Sequence, residues 1–231
     1  MAQAQRLVEV QSPATPDRLA AVVTLKPRHD LHLLRKIWHT GMGLLMVGIY
    51  QSGMARWTAV TILGSVLTAF LILESARIRI PAFNATCLKL WGPLLRKDEE
   101  NRISGLPYYV GATLLSIALF PKPVAVLAVM FLAIGDPIAS LVGILFGGKS
   151  RRFANGKSWV GTAAGVAACM AVALLYVNGL ALPWPKLLAI TAIGGAVGGT
   201  VELLPLEIDD NFSIPVISGF FLWLLFMALG V

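Results

Sequence analysis

The stretch PVAVLAVMFLAIGDPIASLVGILF, residues 123–146, carries one ionisable side chain, Asp136, in an otherwise apolar run. A run of that length crosses the roughly 30 Å hydrocarbon core of a bilayer as a helix. Six further apolar stretches extend the pattern, giving spans at about 36–52, 57–73, 105–120, 123–146, 160–178, 186–205 and 214–230. In lipid only helices satisfy their own backbone without closing into a barrel. The fold class expected is therefore all-α, a polytopic membrane protein with about seven transmembrane helices.

Composition supports this reading. Of 231 residues 57% are hydrophobic and 13% charged, about half the charged share of a soluble domain, and the mean hydropathy is +0.76. The formal charge is +7, and in a membrane protein such an excess marks cytoplasmic loops beside anionic lipid, so no nucleic-acid partner is expected. Sixteen of the nineteen Lys and Arg residues fall before the first span or after the second and fourth; only Arg56, Lys122 and Lys186 fall on the other side. By the positive-inside rule the N-terminus is cytoplasmic and the C-terminus outside. Residues 1–30, polar and punctuated by Pro13, Pro16 and Pro27 without an apolar signal core, read as a cytoplasmic tail ahead of a single membrane-embedded domain at 31–231. Cys87 and Cys169 are too far apart to suggest a disulfide framework or a zinc site.

All twelve acids fall in cytoplasmic segments or near the cytoplasmic ends of spans, so chemistry is expected on that face. An unpaired carboxylate such as Asp136 costs about 2.5–3.5 kcal/mol at the centre of an inserted helix, and Gly135-Asp136-Pro137 is expected to break the helix locally. Glu202, Asp209, Asp210 and Asn211 lie at the same level. With Asp136 they form a candidate Mg²⁺ site, because Mg²⁺ takes one or two carboxylates plus phosphate oxygens and water. The plainer reading of Asp209-Asp210-Asn211 is a helix N-cap. The loop GGKSRRFANGKSWVG combines glycines with Lys149, Arg151, Arg152 and Lys157. Its Gly148, Lys149, Lys157, Ser158 and Gly161 are candidate polyphosphate ligands, next to a helix N-terminus. Residues 143–150 match GxxxxGK[ST], but a Walker loop joins a strand to a helix, and this one leaves a membrane span. His39, near the start of the first span, is a candidate for proton transfer or phosphate binding. Glu74 and Arg77, one turn apart, form a local ion pair or a pair that orients metal or phosphate. The Gly-rich runs from Gly161 and Gly194 read as close helix packing. The segment from Glu74 to Ser104, where apolar and basic residues alternate, reads as an interfacial element.

In order along the chain stand RKxxH at Arg35 to His39, ExxR at Glu74 to Arg77, ENRISGLPYY at Glu100 to Tyr109, GDPIASLVG from Gly135, GKSWVG from Gly156, and Glu202 with DDNFSIP from Asp209. This series, covering about residues 35–217, resembles the CTP-dependent lipid kinases: dolichol kinase, phytol kinase and CTP-dependent diacylglycerol kinase. Dolichol kinases carry additional spans, so the chain is more similar to the short phytol-kinase-like or prokaryotic members. The resemblance implies transfer of the γ-phosphoryl of CTP, or another nucleoside triphosphate, to the hydroxyl of a membrane lipid alcohol such as phytol, a polyprenol or diacylglycerol. It also implies a multi-pass protein of the plasma membrane, if prokaryotic, working at the cytoplasmic face. Phosphoryl transfer needs alignment, bridging Mg²⁺ and positive charge. The expected roles are therefore Asp136, Glu74 and His39 as catalytic groups, Gly148, Lys149, Lys157, Ser158, Gly161 and Arg77 around the nucleotide, and Asp136, Glu202, Asp209, Asp210 and Asn211 around the metal. A cytidylyltransferase making a CDP-lipid is the alternative within enzymes, distinguished by releasing pyrophosphate. A CDP-alcohol phosphotransferase is disfavoured because no DGxxAR signature is present. A transporter is the alternative from another class, disfavoured by the expectation that no two spans are interrupted in parallel.

Overall fold

The computed structural model describes residues 31–231, so the expected 1–30 tail lies outside the described residues. Eight helices account for most of them: α1 (Leu33–Gln51), α2 (Arg56–Arg79), α3 (Pro81–Trp91), α4 (Gly105–Leu119), α5 (Lys122–Lys149), α6 (Trp159–Asn178), α7 (Trp184–Leu203) and α8 (Asp210–Leu229). All seven expected spans are helices. Five of them, α2 and α5 to α8, are long and apolar enough to cross a membrane. The helix α4 has 15 residues, about 22 Å at 1.5 Å per residue, and α1 carries Arg35, Lys36 and His39 in its first two turns.

The helix α5 is apolar on every side, the pattern of a buried helix, and it forms the centre of the bundle. Val124–Val129 and Phe131–Ala133 are all at or below 1% exposed. The helix α6 packs beside it through small residues. A Cβ on Gly161 would lie 2.7 Å from the Ala139 carbonyl oxygen and 2.9 Å from Gly143 Cα, and one on Gly165 would lie 2.8 Å from Ala139 Cβ. Another face of α6 receives α7, where Gly199 and Gly195 sit against the backbone of Val166 and Met170. The glycine runs therefore act in packing, bringing the ends of α5, α6 and α7 close together.

The expected break at Gly135-Asp136-Pro137 does not occur. The helix stays continuous by widening into a π turn over Phe131–Gly135, in which the Asp136 N–H donates to the Phe131 carbonyl five residues back. That shift releases the Leu132 carbonyl, and Pro137, lacking an N–H, releases that of Ala133. Both are taken up by α1: His39 Nε2 lies 3.1 Å from the Leu132 oxygen and Thr40 Oγ1 donates to Ala133 at 2.7 Å. Gly43 permits this approach, since a Cβ there would collide with Tyr109 and Ala133. A second π turn, Ile190–Gly194, interrupts α7 at the same Ala-Ile-Gly tripeptide. Two spans are thus irregular in parallel, contrary to the expectation of none, although both remain helical throughout.

Candidate active site

The chain between α3 and α4 folds back over the bundle because Arg77, 3% exposed, grips it. Its guanidinium donates to the carbonyls of Glu99 (3.0 Å), Glu100 (2.9 Å) and Arg102 (2.6 Å), to Asn84 Oδ1 (3.1 Å) and to Glu74 Oε2 (2.8 Å). Glu74 in turn accepts from the Ser104 N–H and hydroxyl, each at 3.0 Å. The Glu74–Arg77 ion pair therefore forms, and it holds this segment in place. Glu99 is the segment's second anchor: Arg35 Nη1 and Nη2 donate to its two oxygens, which also accept from the Arg96 and Gly105 N–H groups. Burial pushes the Glu99 carboxyl up, but the Arg35 hydrogen bonds and charge outweigh it and leave the group below its ordinary pKa.

Two cavities flank this anchor. A polar one of about 730 Å³ is lined by six carboxylates (Asp98, Glu99, Glu202, Glu207, Asp209 and Asp210) against three cations (Arg96, Arg102 and Lys157), with Asn155 and Tyr108. An apolar one of about 340 Å³ has walls that include Trp38, Phe70, Leu90 and Trp91, with Arg35, His39, Glu74 and Asn211 among its polar lining residues.

Lys157 is the hub of the polar cavity. A tight loop presents it: Gly156 turns at φ +82°, Phe153 N–H donates to the Lys157 carbonyl at 2.8 Å, and Arg152 pairs with Ser158. Lys157 Nζ lies 2.7 Å from Glu202 Oε2 and 2.9 Å from Asp210 Oδ2, while Thr162 donates to Glu202 Oε1 at 3.1 Å. Burial alone would lower the ammonium's pKa, but Asp210 and Glu202 hold it above its ordinary value. The Asp136 side chain makes no hydrogen bond or ion pair among the described residues and lines neither cavity. Its carboxylate nevertheless interacts electrostatically with Lys157 and Glu202 of the polar cavity, with His39 and Tyr109 of the apolar one, and with Lys36.

Over 206 residues the chain is 28% identical to the CTP-dependent diacylglycerol kinase 1 of Eremothecium gossypii, matching 81% of this chain and 65% of that protein. It is 28% identical over 202 residues to the Schizosaccharomyces pombe protein of the same name, covering 83% of this chain and 92% of the relative. A probable chloroplastic phytol kinase of Glycine max is 28% identical over 160 residues, 64% of this chain and 55% of that protein. The chain is a homologue of the CTP-dependent lipid kinases. No protein-family model and no solved structure matches it.

In this lipid-kinase homologue the structure gathers Lys157, Glu202, Asp209 and Asp210 around the polar cavity and His39, Glu74, Arg77 and Asn211 on the apolar one, while Asp136 lines neither. It does not bring Gly148 or Lys149 to either cavity; both are exposed. Ser158 and Gly161 are buried structural residues: Ser158 Oγ caps α6 by accepting from the Gly161 N–H at 3.1 Å. Asp209 caps α8 by accepting from the Asn211 N–H at 2.8 Å, and burial raises its carboxyl pKa. Among the described residues no three His, Cys, Asp or Glu side chains converge as a metal-binding group. Reading along the chain overlooked Arg35, Glu99, Arg96 and Arg102 as cavity residues. Arg35 stood in a recognised motif, but nothing local marks Glu99 as its partner.

Proposed function

We propose that this chain transfers the γ-phosphoryl group of CTP to the hydroxyl of a membrane lipid alcohol, an isoprenoid alcohol or diacylglycerol, at the cytoplasmic face. The relatives' names supply the reaction class. The observation that carries the reading is that the two cavities share a wall: Glu99 and Asp210 line the polar one, while Arg35, which pairs with Glu99, and Asn211, next to Asp210, line the apolar one. A water-soluble donor and a bilayer-soluble acceptor then meet across one wall without either changing phase. The bias of Lys and Arg towards the segments expected on one side, twelve of these residues being among those described, supports a cytoplasmic orientation.

The nucleotide occupies the polar cavity, its phosphates against Lys157, Arg96 and Arg102. Carboxylates outnumber cations there, so a bare triphosphate would be repelled, whereas one carrying divalent cations is complementary. The donor set fits Mg²⁺, since Lys157 Nζ already bridges two carboxylates as a cation would. Glu202 and Asp210, with Asp209 and Asp136 nearby, would hold Mg²⁺, which would supply neutralising charge for the phosphates. Lys157 and the arginines balance charge on the transferring phosphoryl group, and the apolar cavity keeps water from the acceptor hydroxyl.

Purified protein in detergent, incubated with each nucleoside triphosphate, Mg²⁺ and a panel of isoprenoid alcohols and diacylglycerol, should yield a phosphorylated lipid and CDP. Release of pyrophosphate with a CDP-lipid, or no lipid product at all, would overturn the reading.

A further inference from the structure

Three groups near the apolar cavity are able to take a proton from an acceptor hydroxyl: Glu74, Asp136 and His39. Both Glu74 oxygens are engaged by Ser104 and Arg77. Asp136 does not line the cavity that would hold the lipid. His39 does, and its ring chemistry is fixed by its neighbours. A carbonyl oxygen only accepts hydrogen bonds, so the contact from Nε2 to the Leu132 oxygen, 3.1 Å, requires the proton on Nε2. In the neutral ring Nδ1 then carries the lone pair.

We infer that His39 Nδ1 is the general base of the transfer, its tautomer set by the carbonyl that the α5 π turn releases. This inference rests on the lipid-kinase reading and assigns the proton acceptor within it. Tyr109 fixes the plane of the imidazole: its ring stacks at 4.5 Å and 10°, and its hydroxyl donates to the His39 carbonyl at 3.2 Å. Asp136 supplies compensating negative charge when the ring becomes cationic. As the alcohol oxygen forms its bond to the γ-phosphorus, its proton passes to Nδ1. The bond from that phosphorus to the β,γ-bridging oxygen breaks, and its electron pair leaves on the nucleoside diphosphate. The imidazolium then returns its proton to solvent or product.

The π turn has a function in this arrangement. In a regular α-helix the Leu132 carbonyl would accept from the Asp136 N–H, and Nε2 would have no acceptor to select the tautomer. The turn turns a backbone oxygen outward at the level where acceptor and donor meet.

The test compares wild type, His39→Ala and His39→Gln with CTP and the accepted alcohol, measuring kcat, the KM for CTP and the melting temperature. Gln keeps a donor for Leu132 but offers no basic nitrogen. Both variants should fold, keep the wild-type KM for CTP and lose about 10²–10⁴-fold in kcat, the span typical of a general base. Added imidazole should restore His39→Ala by about tenfold or more and leave His39→Gln unchanged, because the Gln side chain fills the space. Wild-type kcat in His39→Gln, or a folded His39→Ala enzyme that imidazole does not rescue, would overturn the assignment. Wild-type protein that binds CTP but phosphorylates no alcohol would instead remove the lipid-kinase reading beneath it.

Discussion

Arg35 and Glu99, 64 residues apart in the chain, meet as a two-pronged pair, with Nη2 2.8 Å from Oε1 and Nη1 2.5 Å from Oε2, at the wall between the polar and apolar cavities. Removing one member of such a buried pair leaves an uncompensated charge, which costs about 3–5 kcal/mol. Glu99→Ala should lower the unfolding free energy by that amount in detergent, and Arg35→Met with Glu99→Leu should recover part of it. Equal melting temperatures for wild type and Glu99→Ala would show that the pair does not hold the wall.

The same pair sets an acid limit. The Glu99 pKa in the folded protein lies below its ordinary value of 4.5, so its contribution is present above pH 4.5 and is lost as pH falls through the lowered pKa. Melting temperature recorded from pH 6 down to pH 3 should fall more steeply in wild type than in Glu99→Gln. Parallel curves would exclude Glu99 as the titrating group.

Lys157 is expected to govern the nucleotide. Lys157→Ala should raise the KM for CTP or depress kcat by about 10- to 100-fold, the loss of one charge-assisted contact of roughly 1.5–3 kcal/mol. Its pKa is raised above 10.5, so the ammonium persists up to that pH and the KM for CTP should show no lysine-derived rise between pH 7 and pH 10. Steady-state kinetics across that range check both statements.

Asp136→Asn preserves shape while removing a charge that acts on groups of both cavities. Turnover should fall by about 10²-fold or more, with little change in melting temperature because no hydrogen bond to the side chain is lost. Near-normal turnover in the purified variant would take Asp136 out of the reaction.

Chelation should abolish transfer and Mg²⁺ should restore it, and Asp210→Asn and Glu202→Gln should each raise the Mg²⁺ concentration giving half-maximal activity. A metal titration of the three proteins measures this directly. Superimposable curves would place the metal elsewhere.

The glycine packing makes a prediction about the scaffold. A Cβ on Gly199 would collide with Val166 Cα, a backbone atom that cannot swing aside as a side chain would. Gly199→Ala should destabilise the protein by about 1–3 kcal/mol, whereas Gly41→Ala, with open space around it, should not. Melting temperatures of the two variants in the same detergent decide it.

Hydropathy is a property of short stretches of chain, and in a bilayer it leaves the backbone only one solution at each stretch, so the helical spans were legible from residue order alone. The N-cap reading of Asp209 and the packing glycines were legible for the same reason, being local patterns. Pairings between distant side chains were not. Lys157 finds Glu202 and Asp210 across 45 and 53 residues, and Arg35 finds Glu99 across 64, through helix contacts that no local pattern specifies. Residue order also misjudged Gly135-Asp136-Pro137, because whether a proline breaks a helix depends on whether other groups accept the carbonyls it frees. Here His39 and Thr40 of α1 do so, and only the packed bundle brings them there.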